Sequence, residues 1–197
     1  MTAVTTCVTT KEPSVLRWTV DRYHRLVDTG ILTEDDRTEL IDGSIVVMSP
    51  PGTRHANRVR LLNHILSLRI GDRGLVDVQN PVELDLANEP QPDLVVLKPT
   101  ADGYLAHHPR AEDILVVIEV VYSSAHHDRT VKLPIYARSG VAEVWLIDVE
   151  AGRVEAYTTP GRAGYEHRQL LDRAGTLAIA ALPDLVFTGL ELLGPAP

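Results

Sequence analysis

The stretch Gln91-Pro92-Asp93-Leu94-Val95-Val96-Leu97, followed after a polar interval by Ile114-Leu115-Val116-Val117-Ile118-Glu119-Val120-Val121, decides how this chain is read. Each is a continuous apolar run rich in β-branched residues, the pattern of a strand covered on both faces. Each also carries a carboxylate, Asp93 at the opening of the first run and Glu119 near the end of the second. An acid in such a setting is costly unless it is protonated, paired or bound to a metal. If the two strands are neighbours the acids converge, and without a cation their repulsion would raise one pKa. A hard divalent ion keeps several waters and needs only one or two carboxylates, so the pair suffices for a cation site. The alternative is that Asp93 caps a turn after Pro92 while Glu119 pairs with a buried arginine.

Working outward, Val15, Leu16, Trp18, Val20, Tyr23, Leu26 and Val27 approximate a helical stripe, with Ser14 or Thr19 as cap and Gly30 as stop. A short helical turn starts at Thr33, with Asp36 as its capping-box acid. Asp42-Gly43 between two apolar segments is a strong hairpin signal, with Asp42 read as a turn former. Thr53 caps a helix to about Arg69 that buries Val59, Leu62, Ile65, Leu66 and Ile70. Strands are expected at 75–78, 82–86, 94–97, 114–121, 143–148, 153–157 and 165–171, with a polar loop at 101–113 and a closing segment at 182–193. A helix should run from after Tyr122-Ser123-Ser124 through Lys132 and Tyr136 to Gly140. Pro134 within it implies a late start near Lys132 or a kink.

The length of 197 residues and 44% hydrophobic content suit one domain over 14–193, preceded by a disordered Thr-rich leader at 1–13 and followed by a tail at 194–197. The single cysteine, Cys7, excludes a disulfide framework and a thiolate metal site, which fits a cytoplasmic protein. No run reaches the roughly 18 apolar residues of a membrane span, so no membrane is expected. A net charge of −8 argues against a protein that coats nucleic acid, but not against a nuclease whose metal site needs carboxylates. Arg54, Arg58, Arg60 and Arg69 form either a segregated basic face or a solvated helix surface.

Lys132 lies near a helix start, from which a long side chain leans back towards the Glu119 strand end. There it could hold a nucleophilic water or stabilise charge developing on a phosphate oxygen. Asp128 or Thr130 can cap that helix. Tyr136, four residues on, shares the face of Lys132, for packing or for contact with a substrate. His55, close to a helix N-terminus, either contacts a phosphate or packs beside Pro50 and Pro51, and Arg54 is a further candidate for substrate contact. The pairs His107-His108 and His126-His127 lack the helical spacing that places two imidazoles on one metal, and read as solvated loop residues. Asp148 reads as a strand-end residue.

These residues carry a resemblance. Glu39-Leu40-Ile41-Asp42-Gly43, Met48-Ser49-Pro50 with Arg54-His55, Gln91-Pro92-Asp93, Ile118-Glu119-Val120, Lys132-Leu133-Pro134-Ile135-Tyr136-Ala137 and the block from Gly140 to Asp148 resemble the ordered blocks of the Uma-two family of putative restriction endonucleases, within the PD-(D/E)XK nuclease superfamily. The likeness covers roughly 15–190. It implies an α/β (α+β) restriction endonuclease-like fold, a mixed β-sheet flanked by helices. It implies also magnesium-dependent hydrolysis of DNA phosphodiester bonds, with manganese as a substitute, and a homodimer. By the same resemblance Asp93 and Glu119 would be metal ligands with the Val120 carbonyl as a third, Glu39 the acid from the N-terminal region, and Lys132 the catalytic lysine. The chain departs from the superfamily motif at Val121, where a lysine is expected two residues beyond Glu119.

Three classes follow: a metal-dependent nuclease, a nuclease fold without activity that binds nucleic acid or protein, and a small-molecule hydrolase using the same acids. Retention of Glu39, Asp93, Glu119 and Lys132 favours the first. Against the third, there is no nucleophile elbow, phosphate-binding glycine loop or His-rich metal motif.

Overall fold

The computed structural model describes residues 15–122 and 127–195. The leader at 1–13, the cap assigned to Ser14, the residues Ser123, Ser124 and His126, and the last two residues of the tail lie outside the described residues. Both apolar runs form strands, β4 (Leu94–Leu97) and β5 (Ile114–Val121), at the centre of a six-stranded sheet. They are joined by β3 (Leu75–Val78) on one side and by β6 (Glu143–Asp148), β7 (Arg153–Gly161) and β8 (Gly164–Leu171) on the other, in the order β3-β4-β5-β6-β7-β8. All neighbours are antiparallel except β5 and β6. A parallel pair needs a crossover connection, and here it carries the helix α3 (Leu133–Arg138).

Strand alternation divides the central residues between two apolar clusters. Val116, Ile118 and Val120 pack with Leu94, Val96, Trp145 and Ile147 beneath helix α2 (Thr53–Ile70). Val59, Leu62, Leu66 and Ile70 are the buried stripe of that helix. Val117 and Val121 face the other way with Val95, Leu97, Val144 and Leu146, against Tyr136 of α3. Coverage of both faces explains why the strands read as unbroken apolar runs rather than as alternation.

The N-terminal part is smaller. Helix α1 (Val20–Asp28) starts at Thr19, whose hydroxyl accepts from the Arg22 amide, so the helix begins later than the stripe from Val15 implies. Val15 and Leu16 are exposed, because no layer lies beneath them to reward a helix there. The turn at Thr33 forms as a 3-10 helix (Glu34–Asp36) with its capping box. Strands β1 (Thr38–Ile41) and β2 (Ser44–Val47) make the expected hairpin, with Asp42 and Gly43 at φ 47° and 67°. Both central residues in the left-handed region match the turn whose twist suits a two-residue hairpin. A side chain at Gly43 would also meet Arg17 Cβ at 2.9 Å.

Two strand expectations change. The 82–86 run is no strand; it makes only isolated bridges, Glu83 with Arg110 and Asp85 with Asn88. Its chain turns back on itself through Asp85, which accepts from the Ala87 amide and Asn88, so local turn chemistry overrides the apolar alternation. The closing segment is a hairpin, β9 (Thr176–Ile179) and β10 (Leu182–Thr188), followed by α4 (Gly189–Leu193). It packs Phe187 edge-to-face on Trp145 at 6.0 Å between centroids. No helix among the described residues is long and apolar enough to cross a membrane.

Candidate active site

The register of β4 on β5 brings the two acids together. Leu94 pairs with Ile118, so one step further along the antiparallel pair Asp93 stands opposite Glu119. Both belong to the face covered by α3. The contact is direct: the Asp93 amide donates to Glu119 Oε2 (3.2 Å) and the Val120 amide donates to Asp93 Oδ2 (2.9 Å). Gln79, just past β3 and held at φ 53°, donates from Nε2 to Asp93 Oδ1 at 3.3 Å. A non-glycine residue in that conformation is uncommon, and here the turn that requires it aims an amide at the acid.

Helix α3 begins in an unusual way. A five-residue π-helical turn, Asp128–Lys132, precedes it, and Pro134 falls in the first turn of the α-helix. The helical backbone runs on from His127 through this turn, where the Leu133 amide reaches back to the Asp128 carbonyl, so Pro134 is accommodated by a π-turn just before it rather than by a late helix start. The wide turn presents Lys132 and Tyr136, four residues apart, to Glu119. Lys132 Nζ lies 3.1 Å from Glu39 Oε2 and 3.5 Å from Glu119 Oε1. Tyr136 donates its hydroxyl to Glu119 Oε1 at 2.7 Å. The buried partner of Glu119 is thus a lysine, not an arginine.

Glu39 arrives from the hairpin. Every residue of β1 is buried, and Glu39 Oε2 also accepts from the Gln91 amide at 3.1 Å. The position two beyond Glu119 is filled by Val121, which is packed in the α3-side cluster, so the ammonium that the strand lacks comes from Lys132 on the other side of the crossover.

Burial dominates the electrostatics. It pushes Glu119 up to about 8; Lys132 opposes the shift, and Asp93 and Asp128 add to it. Burial also works to lower the Lys132 pKa, but Glu119, Glu39 and Asp128 outweigh it and hold the ammonium above its ordinary value. Tyr136 is raised by burial and by Glu119, so it remains a donor. His55 Nε2 is 2.9 Å from Asp93 Oδ2, and that hydrogen bond raises the His55 pKa against burial. The His55 Nδ1 atom is buried without a hydrogen-bond partner.

All of these side chains except Tyr136 line one cleft of about 710 Å³. Glu39, Asp93, Glu119, Asp128 and Lys132 form its floor, while residues 50–55 at the start of α2 and Arg37 to one side form its walls. Asp128, read from the sequence as a cap, is 5% exposed, lies inside the π-turn and faces this cleft. Gln79 and Tyr122 also line it and carried no site signal of their own, and Gln91, beside Asp93, lines it too; His127, read from the sequence as a solvated loop residue, is instead part-buried in the helical turn before Asp128 and lines the cleft. Glu39, Asp93 and Glu119 converge as oxygen donors with Lys132 shared between two of them, and Glu119 is pushed far above its usual range. An oxygen-binding divalent ion fits that set.

Other expectations separate. Arg54 lies exposed on the cleft rim. Tyr136 is 0% exposed and is absent from the cleft wall; its hydroxyl is spent on Glu119, which replaces the reading of substrate contact by one of support. The four arginines of α2 do not share a face. Arg58 is buried against Gly194, and Arg69 pairs with Glu191 and covers the Phe187 ring at 4.5 Å, while Arg60 is exposed. His108 is not a free loop residue, since its ring meets that of His24.

A family model matches residues 20–191, that of the Uma2 family, described as "Putative restriction endonuclease". No curated protein matches the chain. Among solved structures, the chain is similar to the crystal structure of a "putative nuclease belonging to DUF820" from Anabaena variabilis, with a TM-score of 0.70 at 15% identity, covering 89% of this chain and 97% of that one. That likeness establishes the fold.

Proposed function

The chain belongs to the Uma2 restriction endonuclease family, and from that premise we propose that it is a metal-dependent endonuclease hydrolysing DNA phosphodiester bonds. The observation that carries the reading is the convergence of Glu39, Asp93, Glu119 and Lys132 on one water-accessible cleft. Asp93 and Glu119 would hold magnesium, or manganese in its place. The Val120 carbonyl is the third candidate, because in an extended strand it points to the same side as the amide that meets Asp93. A bound ion would supply Lewis-acid polarisation of the phosphate and a more acidic water.

The chain's own residues supply the rest. Lys132, kept charged by three acids, directs its ammonium at a water or at charge developing on a phosphate oxygen. Glu39 sets the position of that ammonium, and Tyr136 holds Glu119 Oε1. The first turn of α2 lines the cleft without an acidic residue or a side-chain cap, so its free amides, with Arg54 and His55, suit a backbone phosphate. The functional unit we propose is a homodimer, since a two-fold pair of sites serves two antiparallel strands. Light scattering at micromolar concentration should give twice the mass of the chain.

The direct test incubates purified protein with single-stranded, duplex and supercoiled DNA, in magnesium, manganese or chelator. Cleavage that requires the ion supports the reading. Binding without cleavage in any ion would instead make the chain a nuclease-fold binding module, and neither binding nor cleavage of any DNA would overturn the DNA substrate.

A further inference from the structure

We propose that His24, Glu89 and His108 form a second metal site, for an ion of the zinc class, separate from the acid–lysine cleft. The residues come from three places: α1, the segment bridged to β1, and the loop at 98–110. Their ligand atoms all lie within 4.8 Å of one another. His24 Nε2 is 2.7 Å from Glu89 Oε2, and the His24 and His108 rings meet edge to face with centroids 5.8 Å apart. None of the three lines the cleft.

The donor chemistry selects the ion. Two imidazole nitrogens and one carboxylate oxygen suit zinc and its late transition neighbours, whereas magnesium prefers oxygen and gains little from imidazole. Three protein ligands leave a fourth position for water. Tetrahedral zinc at ordinary bond lengths sets its ligand atoms about 3.3 Å apart. The His24–Glu89 pair would open by roughly half an ångström, and His108 would swing in on its loop to complete the set. Binding replaces the His24–Glu89 hydrogen bond by a bond from each to the ion, and the neutral imidazole carries its one proton on Nδ1.

Glu89 is the reason to expect an ion here rather than a chance grouping. Its side chain is 3% exposed, and its Oε2 already meets one imidazole, that of His24, with His108 beside it. Its backbone is fixed: the Glu89 amide donates to the Leu40 carbonyl (2.8 Å), and the Leu40 amide returns the bond at 3.2 Å. An ion at this point would cross-link α1 and the long loop to the strand that presents Glu39. Its role is to stiffen, from outside the cleft, the strand that carries Glu39 of the cleft floor.

The test uses untagged full-length protein carrying Asp93→Ala, so that binding in the cleft is weakened from the start. Cobalt(II) should give the visible absorption of a low-coordinate site, saturating at one ion per chain, displaced by zinc and not by excess magnesium. His108→Ala lies on a surface loop and should leave the fold intact by circular dichroism while weakening binding about tenfold or more. His24→Ala should do the same, and zinc should raise the melting temperature of the Asp93→Ala protein but not of either double variant. No cobalt spectrum, or one unchanged by His108→Ala and His24→Ala, overturns the site. The outcome is independent of whether the protein cuts DNA.

Discussion

Two carboxylates on this sheet are both shut off from solvent, Glu119 the more deeply, and they behave in opposite ways. Glu155 of β7 has a side chain with 0% exposure, yet its pKa lies below the ordinary value. Burial raises it, but Tyr157 donates at 2.6 Å, Arg129 Nη2 at 2.7 Å and Arg168 at 2.8 Å, and together they win. Glu119, on β5, has one lysine, shared with Glu39, and two further acids beside it, and it is pushed up to about 8. A carboxylate that holds a structure together is surrounded by its own cations. One left short of them is poised to receive a cation from outside.

The arrangement links the two regions. Arg129 belongs to the π-turn that carries Asp128 and Lys132, and it ties that turn to Asp148 at 2.8 Å as well as to Glu155. The satisfied cluster therefore anchors the segment that positions the unsatisfied one.

The largest expected effect is on the short-handed side. Asp93→Ala, Glu119→Ala and Lys132→Ala should each lower cleavage about a hundredfold or more while circular dichroism stays native. Full activity in Lys132→Ala would remove the role assigned to the crossover lysine. Next comes the satisfied side. Arg129→Met should destabilise the fold by roughly 1–3 kcal/mol, because it removes the nearest cation of Glu155 and Asp148 while Arg153 and Arg168 remain beside them, and should also loosen Lys132. A denaturant titration measures the first consequence, and a fall in any cleavage activity of the folded variant measures the second.

The comparison itself is sharpest in a pair of isosteric changes. Glu119→Gln should raise the melting temperature of metal-free protein near pH 8, by roughly 1–3 kcal/mol of stability, whereas Glu155→Gln should lower it. The signs follow from linkage. A folded pKa raised to about 8 makes the parent lose stability as pH climbs from the unfolded value near 4.5, a loss that the amide avoids. A lowered folded pKa makes Glu155 contribute stability above its unfolded value, lost as pH falls through the folded one. Melts at pH 4 should bring Glu119→Gln close to the parent, while the Glu155→Gln deficit should close only at still lower pH, below the depressed folded pKa; the same sign for both at pH 8 would break the contrast. The smallest effect is that of the ion: magnesium or manganese should raise the melting temperature of the parent by a few degrees and that of Glu119→Gln by less, as differential scanning fluorimetry would show.

Much of this was legible in the residues because it rests on short-range physics. The two apolar runs become central strands since nothing but coverage on both faces suits them. Asp42-Gly43 makes a hairpin because its left-handed conformations are nearly prescribed by type. The 82–86 run shows the limit: its alternation was as good as that of a true strand, yet Asp85 and Asn88 diverted it into a turn. Val15 and Leu16 likewise fitted a helical stripe but had no layer to bury them.

By itself the sequence determined that two acids would stand in apolar strands and that a lysine would follow in a crossover, because periodicity and turn chemistry act between neighbours along the chain. Only the tertiary structure decided that Lys132 reaches both Glu39 and Glu119, since that depends on a π-turn and a parallel register no local pattern encodes. The meeting of His24, Glu89 and His108 was also invisible, because their spacing along the chain follows no helical or strand period. Contacts of that kind are set by how separate layers dock, where burial and charge are settled by the whole molecule at once.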